Sequence, residues 1–230
     1  MLINRNTAIS TPKVLLVPYC KHHVPTYHEW MQDEDLQKAT ASEPLTLADE
    51  HSMQQTWRRD TDKLTFITCT LPSVVPDAIL ATTHDSFDCM LGDVNLFLTD
   101  HHDADPSGVV AEIELMIARK RHQGHGYGRA SLLAFLTYVI KHEREILREY
   151  SRGNASRVEW SAGTPVRFEY FVVKIDQANQ RSVGLFESVG FVKVGEANYF
   201  CEVELRCEQP AGWSMDADGE YRELRYEGGD

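Results

Sequence analysis

The chain is poor in features that would mark several protein classes. It holds five cysteines among 230 residues (Cys20, Cys69, Cys89, Cys201 and Cys207), widely spread and with no C-x-x-C pair. That spacing offers neither a disulfide framework nor a zinc knuckle. A reducing compartment is expected, the cytoplasm first and the nucleus second. The cluster His101-His102-Asp103 is no better a metal site, because adjacent histidines in a polar turn converge poorly on one ion, and no metal is expected. No apolar run approaches the length of a membrane span, and the opening residues lack an apolar signal core, so no membrane partner is expected. Positive charge is scarce: 23 Lys and Arg face 35 Asp and Glu, a formal net charge of −12. General nucleic-acid binding needs basic surface and is not expected. Cationic acceptors such as amines or basic peptide termini suit the charge, although many soluble proteins are simply acidic. There is no internal repeat and no low-complexity segment.

What is present is a glycine run between two well-defined elements. Ala111 to Ala118 reads as a strand, and Arg129 to Ile140 as an amphipathic helix. Between them stands Gln123-Gly124-His125-Gly126-Tyr127-Gly128. A glycine-spaced turn into a helix leaves backbone N–H groups unpaired. Glycine also removes the Cβ that would hold an anion away, and the helix start adds partial positive charge. The run reads as a cradle for a phosphate or pyrophosphate; the alternative is a flexible surface turn. A dinucleotide loop would need G-x-G-x-x-G, and a P-loop would end in Gly-Lys-Ser/Thr; this run has G-x-G-x-G and ends Gly-Arg-Ala. Arg119, Lys120 and Arg121 precede the run and Arg129 follows it, supplying local cations against the acidic background.

The rest of the chain supplies a mixed framework. Strands are expected at 13–19, 64–69, 90–99, 111–118 and 166–175, with a hairpin over 191–207 that turns at 196–198. Helices are expected at 25–33, after a Thr46 cap, from 129 to about 150, and at 179–188, stopped by Gly190. Residues 72–87 and 151–165 read as loop insertions, and 100–108 as an acidic turn. The expected class is α/β (α+β): one domain over 1–207, built on a mixed, mostly antiparallel sheet of about seven strands with helices on both faces. An acidic, loosely held tail is expected over 208–230.

Two spaced motifs resemble the GNAT acetyltransferase superfamily. The first is [Gln/Arg]-x-x-Gly-x-[Gly/Ala], matched by Gln123, Gly126 and Gly128, with Arg121, Gly124 and Gly126 as an alternative register. The second is Asn-x-x-Ser-x-x-Leu-[Phe/Tyr]-x-x-x-Gly-Phe, matched from Asn179 through Ser182, Leu185 and Phe186 to Gly190-Phe191. Segments such as Gly92-Asp-Val-Asn-Leu-Phe-Leu-Thr-Asp100 and Glu112-Ile-Glu-Leu-Met-Ile-Ala118 are similar to the N-acetyltransferase 9-like subgroup. The resemblance covers roughly residues 1–205.

The resemblance implies a fold, a co-substrate and roles. Acetyl-CoA is the implied donor. Gln123, Gly124, His125, Gly126, Tyr127, Gly128 and Arg129 would hold its pyrophosphate. Leu115, Met116 and Ile117 would pair with the pantetheine arm, and Asn179 would touch that arm; as a residue, Asn179 also reads as a helix N-cap. The acceptor implied is a primary amine, most plausibly a protein N-terminus or lysine, with tubulin among the subgroup's substrates. Small polyamines and a non-catalytic scaffold, acting on microtubules, are the alternatives. Glu112 and Glu114 alternate on one strand and so share a face. Carboxylates crowded in a wet cleft raise one another's pKa, which makes Glu114, then Glu112, the candidate bases. The alternative is a pair that merely salt-bridges. Many family members carry a proton-donating Tyr where this chain has Phe186, and phenylalanine cannot donate.

Overall fold

The structure is a computed structural model, and it describes residues 1–40, 42–101, 108–153, 167–208 and 221–229. The strands are β1 (Thr7–Ser10), β2 (Val14–Pro18), β3 (Lys63–Thr70), β4 (Ala78–Leu80), β5 (Met90–Asp100), β6 (Gly108–Ile117), β7 (Arg167–Asp176), β8 (Val192–Val194), β9 (Glu202–Cys207) and β10 (Arg222–Glu227). The helices are α1 (Val24–Trp30), α2 (Glu34–Ala39), α3 (Leu47–Arg59), α4 (Tyr127–Lys141), α5 (Glu143–Gly153) and α6 (Gln180–Glu187), with 3-10 turns at Lys21–His23 and Lys120–His122. All ten strands join one sheet in the order β4-β10-β1-β2-β3-β5-β6-β7-β9-β8. The count exceeds the expected seven. The class holds: only β4/β10 and β6/β7 are parallel among the described pairs.

The sheet is covered on both faces, and its central strands show why. All five residues of β2, Val-Leu-Leu-Val-Pro, are buried, the continuous apolar run of a strand with no wet face. Val14 and Leu16 pack with Leu132, Phe135 and Val139 of α4. Leu15 and Val17 pack with Val24, Tyr27 and Trp30 of α1. Helices α4, α5 and α6 thus share one face, and α1, α2 and α3 the other. Thr46 and Asn179 cap α3 and α6 as expected, accepting from Asp49 N (3.2 Å) and Ser182 N (3.1 Å). The helix expected to run from 129 to about 150 starts two residues earlier, at Tyr127, and breaks at His142 into α4 and α5. The break falls beside Glu143, a charged residue at a position where helical spacing from Leu136 and Val139 would put an apolar one; its carboxylate accepts from Phe168 N (2.9 Å).

The expected loose tail is corrected over Arg222–Glu227. Here β10 pairs antiparallel with β1 and parallel with β4. Charged residues alternate with buried Leu224 and Tyr226, so one face packs while the other stays wet. Segment 72–87 is likewise no plain loop, since it supplies β4. Asp85, fully buried in that segment, accepts from Thr82 N, His23 Nε2 and Tyr226 Oη. Burial pushes its carboxyl up, but His22 (3.1 Å), His23 and Tyr226 outweigh that and hold Asp85 well below the usual carboxylate range. The rest of the tail (209–220 and 230) and of the expected insertion after Gly153 (154–165) lies outside the described residues.

Without β10, the backbone of β1 becomes an unpaired edge and Asp85 loses a donor. Burial of a Leu- or Phe-sized side chain is worth about 1.5–3 kcal/mol. A chain ended after Glu208 is therefore expected to lose several kcal/mol of stability, read as a lower Tm and a lower denaturant midpoint.

Candidate functional site

The site is set by where two parallel strands part. β6 and β7 pair from Gly108–Glu112 against 167–172. Beyond that, β6 runs on to Ile117 beside β5 alone, and β7 runs on to Asp176 beside β9. The parting leaves the β7-facing edge of β6 unpaired after Glu112 and opens a pocket of about 320 Å³. Leu115, Met116 and Ile117 form one wall. Asn179, Arg181, Ser182 and Leu185 form the other. Leu36 and Ala39 of α2, with Thr40 just after it, close over it, and Gly124, Gly126, Gly128 and Arg129 lie at its end. An unpaired strand edge is suited to an extended ligand with amides of its own.

The glycine run stands at the start of α4 with its donors free. Gly124 and Gly126 take φ of +78° and +81°, which a side chain rarely tolerates. Gln123 N donates to Lys120 O (3.2 Å), and the next backbone bond is Ala130 N to Gly126 O (3.1 Å). The N–H groups of Gly124 through Arg129 have no hydrogen bond among the described residues. Gln123 differs from the rest of the expected set: its N–H is spent, and its side chain donates to Ile117 O (3.0 Å), tying the loop to the end of β6. His125 and Tyr127 belong to the loop but do not line the pocket; the His125 ring pairs with Gln123 O (2.9 Å).

The cations are partly those expected. Arg129 lines the pocket, but Arg119 stacks on Phe87 (4.7 Å), Lys120 pairs with Asp35 (2.6 Å), and Arg121 donates to His122 (3.1 Å). Their place is taken by residues that sequence reasoning passed over. Arg181, in the first turn of α6, lies against Gly124: a Cβ there would stand 2.3 Å from its Nη2. Lys13 approaches Gly126 and the Tyr127 ring. No local pattern announces either one; both arrive through the fold.

Glu112 and Glu114 share a face of β6, as expected, but their surroundings separate them. Glu112 pairs with Lys174 of β7 (2.8 Å). Glu114 is exposed and has no ion pair or hydrogen bond among the described residues. It nonetheless stands deep enough that desolvation pushes its pKa up to about 7; the charges of Asp93 and Glu112 raise it further and Lys174 opposes them. Neither carboxylate is part of the pocket wall, although Glu114 directly precedes Leu115. Phe186 is buried edge-on against Phe191 (5.1 Å) and presents no hydroxyl. The residues His102 and Asp103 of the candidate metal cluster lie outside the described residues. Cys20, His22 and His23 hold donor atoms within 4.8 Å of one another, but both ring nitrogens of His23 are engaged, by Cys20 N (2.9 Å) and Asp85.

A splayed parallel strand pair, a glycine loop with free amides and an asparagine-capped helix across the cleft define an acyl-CoA-type transferase fold. The Acetyltransferase (GNAT) domain family matches residues 13–192, and the chain belongs to that family; it is an acyltransferase. It is similar over full length to the Homo sapiens Alpha/beta-tubulin-N-acetyltransferase 9, 38% identical over 233 residues, 100% of this chain and 98% of that protein. The Schizosaccharomyces pombe N-acetyltransferase 9-like protein is 36% identical, with 89% of this chain and 97% of that protein covered. Two solved structures share the fold. One is spermidine N-acetyltransferase from Vibrio cholerae in complex with CoA and spermine (TM-score 0.55, 15% identity, 84% of this chain and 92% of that one). The other is RimL, a ribosomal L7/L12 alpha-N-protein acetyltransferase (TM-score 0.56, 14% identity, 87% and 92%). Among the described residues no helix is long and apolar enough to cross a membrane.

Proposed function

We propose that the chain transfers acetyl from acetyl-CoA to the α-amino group of a protein, with tubulin the acceptor that its relatives' names point to. The observation that carries the donor is the set of unbonded N–H groups from Gly124 to Arg129 at the start of α4, flanked by Arg129 and Arg181. These residues fit a pyrophosphate, the free edge of β6 at Leu115–Ile117 fits the pantetheine amides, and Asn179, the cap of α6, lines the opposite wall. When bound, acetyl-CoA supplies a thioester carbonyl to be attacked and a thiolate to leave.

Glu114 moves the proton. As a carboxylate it takes a proton from the acceptor ammonium, leaving a neutral amine to attack; the second proton, which the nitrogen sheds after attack, leaves to solvent. Once protonated, it returns that proton to the departing sulfur, doing the work that Phe186 cannot. The return is downhill, because a thiol holds its proton to a pKa of about 8.5. The first transfer favours an α-amine. An α-ammonium of pKa near 7.8 gives up its proton to a carboxylate more readily than a lysine near 10.4.

Binding is tested by thermal shift. At a hundredfold excess over Kd, a ligand that binds only the native state adds about 2.7 kcal/mol, which for a chain of this size raises Tm by roughly 5–10 °C. Acetyl-CoA is expected to do so, and an unchanged Tm would overturn the reading. Acceptor choice is then read by thioester consumption with tubulin N-terminal peptides, an internal-lysine peptide and spermidine, of which the first is expected to react fastest. Spermidine ahead of the peptides would instead favour a polyamine enzyme.

A further inference from the structure

Beneath Glu114, on the α1–α3 side of the sheet, lies a buried polar pair that the chemistry above does not use. Asp93 and Asn95 of β5 are 2% and 3% exposed. Asp93 Oδ2 accepts from Asn95 Nδ2 (3.0 Å) and from Tyr27 Oη (3.2 Å) of α1. An ionised carboxylate only accepts, so the bond to Asp93 fixes which end of the Asn95 amide is nitrogen. The other end, Oδ1, is buried and without a hydrogen-bond partner among the described residues. A buried acceptor left open carries a cost of about 1–3 kcal/mol and calls for an explanation. The residue directly opposite Asn95 across the β5/β6 ladder is Glu114.

We infer that Asp93 and Asn95 are a positioning pair for the transfer step: Asp93 orients the Asn95 amide so that its carbonyl oxygen accepts from Glu114 once Glu114 has taken the acceptor's proton. The negative charge of Asp93 helps hold that proton on Glu114 until the thiolate receives it. The inference rests on the reading of Glu114 as the proton carrier. The ammonium gives up two protons on becoming an amide: one rests on Glu114 against Asn95 and ends on the sulfur, and the other, shed by the nitrogen after its attack, is released to solvent.

The groups around the pair act in known directions. Glu114 feels Asp93 from β5 and Glu112 from β6, which raise it, and Lys174 from β7, which lowers it. Asp93 is itself pushed up to about 6 by burial, against the bonds from Asn95 and Tyr27. Tyr27 is raised by burial first and then by Asp93, Tyr19 and Glu50. Glu50 of α3 is raised by burial, with His28 opposing. Removing the charge of Asp93 therefore lowers the pH at which Glu114 titrates.

The test follows Glu114 directly, by NMR of its side-chain carboxyl carbon in the isotope-labelled full chain without substrate, assigned with Glu114→Gln. Asp93→Asn is expected to move the Glu114 midpoint down by about half a unit or more, and the acid limb of kcat/KM down by the same amount, with the acetyl-CoA thermal shift retained. Tyr27→Phe, which keeps the carboxylate but removes a donor to its charged form, is expected to move it in the same direction by less; it also serves if Asp93→Asn does not fold. A Glu114 midpoint unmoved in both variants overturns the pairing, whatever the turnover. A shifted midpoint in a chain that acetylates no amine supports the pairing and overturns the transferase reading instead.

Discussion

Glu114→Gln is expected to lower kcat by roughly two to three orders of magnitude, the usual worth of a positioned general base, while acetyl-CoA still raises Tm as in the parent chain. The side chain keeps its shape and loses the ability to accept a proton. Because Glu114 must be ionised to act and is pushed up to about 7, the parent's kcat/KM falls as pH drops through neutrality; the variant should lack that limb. Stability moves the opposite way. A carboxyl raised in the folded state binds more protons than the unfolded chain between its ordinary range and about 7. The parent therefore loses stability as pH rises across that window, and Glu114→Gln should melt no lower than the parent at pH 6 and higher at pH 8. Glu112→Gln is the control. It leaves Glu114 in place but frees Lys174, so the acid limb should shift downward rather than vanish. Equal kinetics in parent and Glu114→Gln would remove Glu114 from the mechanism.

The features legible in the chain were those held by near neighbours. The glycine run between strand and helix, the Asn179 cap and the shared face of Glu112 and Glu114 all follow from periodicity or from hydrogen bonds spanning two or three residues. What was not legible depends on contacts across the fold. β10 is a short run of alternating charge and apolar residues in an acidic stretch, and nothing nearby signals that β1, more than 200 residues upstream, needs a partner. β4 follows two prolines, whose turn signal outweighs three apolar residues. Arg181 reads as an ordinary surface residue of a helix, and it becomes a cation of the pocket because α6 sets its first turn beside Gly124. Arg119, Lys120 and Arg121 look like phosphate ligands in one dimension, whereas the 3-10 turn at Lys120–His122 directs them to Phe87, Asp35 and His122. Asp93 shares a strand face with Asn95 and Phe97 in the sequence pattern, but its burial under α1 depends on Tyr27 arriving from 66 residues away.

Gly126→Val is expected to abolish the acetyl-CoA thermal shift without unfolding the chain. Gly126 holds φ at +81° as the residue before α4. A left-handed conformation costs a side-chain-bearing residue roughly 1–2 kcal/mol, and more when it is β-branched. The chain can relieve that strain by rotating the peptide units around 126, which breaks the first bond of α4, Ala130 N to Gly126 O, and turns the neighbouring N–H groups off their common target. Each hydrogen bond to a charged group is worth about 1.5–3 kcal/mol, so misdirecting two of them costs two to four orders of magnitude in affinity, since about 1.4 kcal/mol is tenfold. The fold loses less, because the loop is exposed and the apolar face of α4 packs on the sheet through Leu132, Phe135 and Val139. Gly128→Ala separates strain from simple bulk. A Cβ at 128 would meet Leu185, Leu115 and Ile117 at 3.5–3.8 Å, ordinary contact, and Gly128 has no positive φ. That variant should keep a reduced thermal shift where Gly126→Val keeps none. If both retain the parent's shift, the amides from Gly124 to Arg129 are not what holds the donor.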